Sequence, residues 1–225
     1  MNSTAFIYEG RRFKLYHHGD HIGKKIAATK TFYEIALLRF IKDTAPHGGL
    51  YIDVGANIGN HSVFFAAFCA ERVLALEPIK ENIFLALPNL TKRQNPLLAF
   101  VKLMQVGAGR THERLGATVK KDNMGMCNLG GEGDIQVITI DSLLGTDISY
   151  DTKTPVSLIK IDCEGMEMDV LAGAQHVIDL HRPHLVVEAQ DDKAFAELNK
   201  WVALNRYVVT GKFCATPTYY LSPIK

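Results

Sequence analysis

The stretch Leu50-Tyr51-Ile52-Asp53-Val54-Gly55-Ala56-Asn57-Ile58-Gly59-Asn60-His61-Ser62 constrains the fold most, because it reads as a buried strand, a glycine turn and a helix start. An apolar run ending in an acid suits a parallel sheet, and Gly55 and Gly59 let the backbone turn tightly and approach a ligand closely. The apolar run Val63 to Phe68 continues as a buried helix. A strand, loop and helix in this order present backbone N–H groups and a helix N-terminus to a nucleotide-like ligand at the carboxyl edge of the sheet. The dinucleotide fingerprint G-x-G-x-x-G is not met: Asn57 stands at the middle glycine, Asn60 at the last, and an aspartate precedes the first.

A second strand, Arg72 to Leu76, ends in Glu77-Pro78, and Glu77 falls 24 positions after Asp53. An acid there lies beside the first loop, where it can accept ribose hydroxyl protons. The competing role is a helix N-terminal acid stabilised by the dipole of the helix from Lys80. A third strand runs from Phe100 to Val106. Residues 110–134, rich in Gly, Asn, Lys and Asp, read as a functional loop or lid over the sheet edge. Gln136 to Asp141 reads as another strand, and a polar stretch leads to Pro155. The stretch Ser157 to Gly165 is a strand terminating in Asp162, Cys163, Glu164 and Gly165. The helix after it carries Val170, Leu171, Ala174, Val177 and Ile178 on one face, leaving Asp162 and Glu164 at the strand's carboxyl end. His184 to Glu188 ends in a further acid. A helix through Leu198 and Trp201 and the paired strands Arg206 to Thr210 and Thr218 to Leu221 complete the domain.

At the start of the chain, Thr4 to Glu9 and Arg11 to Tyr16 alternate around Gly10 and read as a β-hairpin covering the domain. Residues 1–28 are thus a cover segment and 29–225 the main domain. His17, His18, Asp20 and His21 fall in a segment read as a loop without a metal-binding pattern. Thr31-x-x-Glu34 reads as a capping box opening a helix with Tyr33, Leu37, Phe40 and Ile41 on one face. Pro88 is expected to kink or shorten the helix after Glu77.

With 225 residues, 47% of them hydrophobic, the chain fits one α/β domain with a sizeable core. Lys and Arg number 25 against 24 acids, so there is no global attraction to nucleic acid or anionic membrane. Pairs such as Lys24-Lys25, Lys92-Arg93 and Lys120-Lys121 read as solvated faces. Cys69, Cys127, Cys163 and Cys214 are scattered, without C-x-x-C spacing, and read as reduced thiols of a cytoplasmic protein. The first twenty residues lack a signal-peptide core and no apolar run approaches a membrane span. The sequons at Asn2, Asn60 and Asn89 are read as coincidental.

The motif D-x-G-x-N-x-G resembles a variant of the first motif of Rossmann-like methyltransferases that use S-adenosylmethionine. Over about Tyr33 to Glu188 the chain resembles the FkbM family of that group. The carriers are Asp53 to Gly59, Ala75 to Pro78, Val137 to Leu144, Ile159 to Glu167 and Leu185 to Glu188. The resemblance implies a class I methyltransferase fold, a mainly parallel sheet flanked by helices, with the N-terminal hairpin added. It also implies that Asp53, Gly55, Asn57 and Gly59 line the methionine part of the cofactor, Glu77 the ribose and Asp162 the methyl-transfer mouth, with Pro78 and Val106 among the cofactor contacts. Cys163 departs from the family's usual aliphatic residue, and Pro88 from an uninterrupted second helix. The family mostly methylates hydroxyls of sugars and other natural products, so the expected partner is a small-molecule or glycan acceptor, not nucleic acid or membrane.

Methyl transfer from a sulfonium is an in-line displacement, so alignment, desolvation and removal of the acceptor proton are the protein's work. Asp162, Glu164 and Glu188 converge at the sheet edge, where crowding raises a carboxyl pKa toward the range of a general base. His61, just after the glycine loop, is the next candidate. The same three acids could hold a hard divalent cation, a route the sequence favours less because no tight ligand pair at helical spacing accompanies Asp162. Glu164 serves equally well as a helix N-cap, and Glu167 reads as a solvated helix face. Rival readings are a nicotinamide-dependent oxidoreductase, disfavoured by the missing fingerprint and tyrosine-lysine relay; a nucleic-acid methyltransferase, disfavoured by neutral charge and the lack of an N-P-P-Y-like tetrad; and a non-catalytic cofactor-binding protein.

Overall fold

The computed structural model describes residues 1–120, 123–146 and 154–224, with side chains omitted for 119–127 and 145–153. The lysine pair at 120–121, the Cys127 side chain and most of the polar stretch before Pro155 therefore lie outside the described residues.

Strands β1 (Asn2–Tyr8) and β2 (Arg11–His17) form the expected antiparallel hairpin, turning at Glu9 and Gly10, both at positive φ. Residues 17–28, expected to be a loop, instead carry helix α1 (His21–Thr29): Asp20 caps it by accepting from Gly23 N at 3.0 Å, and Ile26 is buried. The next helix, α2 (Ile35–Thr44), starts three residues later than the capping-box reading requires. Glu34 does not bond back to Thr31; it sits at φ 55° as the residue preceding the helix, and its carboxylate points to His61.

The central sheet begins with β3 (Leu50–Val54), followed by α3 (Asn60–Phe68), β4 (Arg72–Leu76), α4 (Lys80–Asn89) and β5 (Phe100–Met104). Pro88 lies in the last turn of α4, where the helix ends one residue later. Residues 110–134 are mostly sheet and not a loop. After the short β6 (Gly107–Ala108), β7 (Glu113–Lys120) and β8 (Asn123–Ile138) pair antiparallel, and β6 joins β8. Gly116, Gly130, Gly131 and Gly133 hid the strand alternation. Gly116 and Gly133 belong there for close backbone approach, since a Cβ on Gly133 would overlap Gly116, and Gly131 takes a positive φ of 65°. The strand expected over Gln136 to Asp141 ends at Ile138, and α5 (Ile140–Thr146) begins almost at once.

The chain closes with β9 (Val156–Ile161), α6 (Glu167–Ala172), α7 (Gln175–His181), β10 (His184–Glu188), α8 (Asp192–Leu204), β11 (Tyr207–Phe213) and β12 (Thr218–Pro223). The single helix expected after Gly165 is two, because Gly173 packs against the Gly109 carbonyl with no room for a side chain; its apolar face remains buried. The sheet has seven strands in the order β11-β12-β10-β9-β3-β4-β5, parallel from β10 to β5 and antiparallel at β12.

Alternation along β3 divides the core into two layers. Leu50, Ile52 and Val54 face the layer with Ile159, Ile161, Val170 and Ile178. Tyr51 faces the other, with Phe64 and Phe65 of α3 and the inward residues of the N-terminal hairpin. Phe32 lies edge-on to Phe6, Phe13 and Phe64 at centroid distances of 5.0, 4.9 and 5.3 Å, so the first residues share the core. Buried asparagine amides fasten the same segment. Asn89 pairs with both N and O of Tyr16, Asn95 with both of Lys14, and Asn60 with both of Tyr33. The sequon residues Asn60 and Asn89 are thus consumed inside the fold.

Candidate active site

Five acidic or loop positions follow directly from strand ends: Gly55 after β3, Glu77 after β4, Val106 after β5, Asp162 after β9 and Glu188 at the end of β10. They meet where β4 and β9 flank β3 on opposite sides, which is where an open α/β sheet leaves a crevice. A cavity of about 450 Å³ opens there, within the usual range for small-molecule sites.

One wall is the turn after β3. The N–H groups of Gly55 and Ala56 donate to Leu76 O at 3.0 Å, and Asn57, at φ 51°, donates its N–H to Glu77 Oε2 at 2.7 Å. Glu77 Oε1 accepts from Ile79 N at 2.8 Å and Asn82 Nδ2 at 3.2 Å. Three of about four acceptor directions of this carboxylate are therefore used within the protein. Burial pushes the Glu77 carboxyl up, against the opposing pull of those hydrogen bonds. Gly55 has φ 74°, and a side chain there would run into the Asp162 carbonyl oxygen. Gly55→Ala should cost at least about 1–2 kcal/mol from the left-handed backbone alone, with the backbone overlap added, measured by urea denaturation.

Gly55, Asn57, Glu77, Pro78 and Val106 all line the cavity. Asp53 and Gly59 do not. Gly59 caps α3 at φ 81° against Leu90. Asp53 is fully buried beneath the turn, accepting from Ser62 Oγ at 2.6 Å and pairing with Lys160 Nζ at 3.1 Å. The register sets Asp53 directly beside Lys160. Lys160 is 2% exposed, donates to Gly55 O at 2.9 Å, and lies 3.4 Å from Asp162 Oδ2. Burial alone would lower the lysine's pKa, but Asp53 and Asp162 override it and raise it; burial would raise Asp53, and Lys160 holds it down. Sequence reading passed over Lys160. A charged residue inside the apolar run Val156 to Ile161 was the signal.

Beside the turn after β3, the ends of β9 and β10 carry Asp162, Glu164 and Glu188, and one carboxylate oxygen from each lies within 4.8 Å of the others. Glu164, at φ 57°, accepts from Gln190 Nε2 at 2.8 Å. Glu188 is 8% exposed and its Oε2 has no hydrogen-bond partner. Burial, then the neighbouring Asp162, Glu164 and Glu167, push its carboxyl up to about 9. Glu167 is not on a solvated face: it is buried, accepting from the N–H groups of Cys163 and Gly165 at 3.1 Å to close the turn. His61 also lines the cavity, with Nε2 3.3 Å from Glu34 Oε2. Burial opposes ionisation of Glu34, but His61 and Cys214 hold its pKa below the ordinary value. Tyr33, Glu34, Asn82 and Gln190 are wall residues that sequence reading did not assign.

A crystal structure of methyltransferase FkbM from Methylobacillus flagellatus matches with a TM-score of 0.61 at 22% identity, covering 86% of this chain and 49% of that one. The chain thus spans about half the length of that structure. A methyltransferase from Geobacter sulfurreducens matches with a TM-score of 0.54 at 15% identity, covering 90% and 86% of the two chains. An rRNA-methylase, so described only provisionally, from Clostridium thermocellum gives 0.52 at 14%, covering 85% and 96%. These likenesses show the fold. A search of curated proteins returns no match. The family model of the methyltransferase FkbM domain matches residues 53–209, from the buried Asp53 through the turn after β3 and the three carboxylates and on to β11, and the chain belongs to that methyltransferase family.

Proposed function

We propose that the chain transfers a methyl group from S-adenosylmethionine to a hydroxyl of a small molecule or glycan. The observation that carries this reading is one cavity lined both by the Gly55 to Asn57 turn with Glu77 and by the three carboxylates Asp162, Glu164 and Glu188. The cofactor would supply an electrophilic methyl on a sulfonium. Its fit is supported by the remaining acceptor direction on Glu77, suited to a ribose hydroxyl, and by acids facing a positively charged ligand. Asp162 borders the mouth, its side chain about one-third exposed, where it can take the acceptor proton; His61, oriented by Glu34, is the second proton acceptor. A neutral overall charge of +1 supports a small acceptor over nucleic acid. No helix among the described residues is long and apolar enough to cross a membrane, and the free thiols Cys69, Cys163 and Cys214 support a cytoplasmic working place.

Calorimetry with S-adenosylhomocysteine and with a nicotinamide dinucleotide tests the cofactor: binding of the second and not the first would overturn the reading in favour of an oxidoreductase. Glu77→Gln exchanges one accepting oxygen for a donor that confronts a backbone N–H, and should weaken S-adenosylhomocysteine binding by about 1.5–3 kcal/mol. Unchanged affinity in a folded variant would remove Glu77 from the cofactor site. The acceptor class is tested by transfer from labelled donor to a panel of hydroxylated sugars and aglycones.

A further inference from the structure

We propose that Asp162, Glu164 and Glu188 form a binding site for one hard divalent cation of the magnesium, manganese or calcium class, at the acceptor side of the cavity. As a binding site it stands on geometry; as a device for activating the acceptor hydroxyl it rests on the methyltransferase reading above.

Adjacent parallel strands β9 and β10 bring the three carboxylates together, with every pair of candidate ligand atoms within 4.8 Å. Oxygens on opposite sides of a calcium ion stand about 4.6–5.2 Å apart, and those around magnesium closer, so one ion spans the group with small side-chain adjustments. Glu188 supplies an independent indication. It is more than nine-tenths buried, its Oε2 has no partner, and it faces the other two acids. A buried carboxylate oxygen without a donor is costly to keep. A cation would satisfy it.

Charge points the same way. The cavity wall holds five carboxylates, Glu34, Glu77, Asp162, Glu164 and Glu188, and among the described lining residues Lys160 is the one lysine or arginine. Its ammonium is paired with Asp53 at 3.1 Å, bonded to Gly55 O, and stands 3.4 Å from Asp162 Oδ2. Glu34 has His61, and Glu77 has backbone N–H donors. One ammonium thus serves both Asp53 and Asp162, and Glu188 Oε2 has no donor, so carboxylate oxygens outnumber the cationic groups of this wall. All three candidate ligand atoms are carboxylate oxygens, so a hard ion is selected over a soft one. Gln190 holds Glu164 toward the group, as an outer-shell partner does.

Bound to this site, a cation would also contact an acceptor oxygen and lower its pKa as a Lewis acid, leaving the proton to a neighbouring base. The other occupant for the same negative charge is the cofactor's sulfonium. S-adenosylhomocysteine, which lacks that charge, separates the two.

The test is titration of the full-length chain with manganese chloride, followed by electron paramagnetic resonance of the free ion, with and without S-adenosylhomocysteine. The expected result is one manganese ion per chain in both conditions, with Glu188→Gln and Glu164→Gln each weakening it roughly tenfold or more, as losses around metal sites do. Calorimetry of S-adenosylhomocysteine on the same samples is the separate readout. Manganese binding by a chain that shows no calorimetric binding of S-adenosylhomocysteine supports the cation site while overturning the cofactor reading. A folded wild-type chain that leaves the manganese signal unchanged overturns the site, as do two folded variants that bind manganese like the wild type.

Discussion

Lys160→Met is expected to destabilise the protein by about 3–5 kcal/mol, a large share of the 5–15 kcal/mol that holds a typical domain together. The substitution keeps the stem's volume but strands two carboxylates. Asp53 has no exposure and loses its 3.1 Å partner; Asp162 loses one at 3.4 Å. The carbonyl of Gly55 loses its donor as well, so the turn that forms one cavity wall loosens. The pH dependence has a defined sign. In the wild type the Asp53 pKa is depressed, so its contribution is fully present above the unfolded carboxylate value and lost as pH falls through the lower folded value. In Lys160→Met the largest pull against the burial of Asp53 is gone, with Ser62 and His61 left to oppose it, so its pKa rises and the protonated form is favoured. The gap between variant and wild type should therefore widen from acid to neutral pH. Urea denaturation at several pH values measures it. A Lys160→Met/Asp53→Asn double variant should recover part of the loss, because it removes both members of the pair. A pH-independent loss below about 1 kcal/mol, in the range of exposed pairs, would mean that the pair is only a packing contact.

That prediction could not be written from the sequence, although both residues were in plain view. The strand ending at Asp53 and the strand ending at Asp162 were legible because each is an apolar run followed by an acid and a glycine turn. Their adjacency was not, since it depends on a crossover through more than a hundred residues. With the register known, the acid and the lysine are neighbours, and the role of Asp53 turns from lining a ligand to anchoring the turn that lines it. Glu77 was readable because its spacing from the first loop is a local property of one β-α-β unit.

Where sequence reading missed structure, a local signal had another use. Thr31 and Glu34 had the spacing of a capping box, but Glu34 is drawn to His61, a contact between segments 27 residues apart in the chain. Asp20 among the histidines looked like loop chemistry and is the N-cap of α1. In residues 110–134 two of the glycines that blurred the alternation, Gly116 and Gly133, are those that let β7 and β8 approach closely at the bulge. Glu167 resembled a solvated helix residue because periodicity assigns a face, and no periodicity shows that the turn before a helix leaves N–H groups needing an acceptor.

Asp162→Asn is expected to lower turnover by roughly 10²–10⁴-fold, the range for loss of a general acid–base group. The fold should survive, because Lys160 keeps Asp53 as its close partner and asparagine preserves the size of the side chain. Affinity for S-adenosylhomocysteine should change far less than turnover, since Glu77 and the backbone of the turn after β3 hold their hydrogen bonds without the Asp162 side chain. The same loss follows whether Asp162 takes the proton directly or helps hold a cation that polarises the hydroxyl, and a chelator divides the two. With the cation site proposed above, wild-type activity falls on chelation and returns with magnesium or manganese; a carboxylate acting alone is indifferent. Geometry favours Asp162 over Glu188 for the proton: the Asp162 side chain is about one-third exposed beside the mouth, whereas Glu188 is buried and its carboxyl is pushed up by burial and the neighbouring acids. Full turnover by Asp162→Asn on its true acceptor would exclude both routes. The proton would then have to leave through His61, whose orientation by Glu34 makes Glu34→Gln the variant to measure next, with a shifted pH profile as its signature.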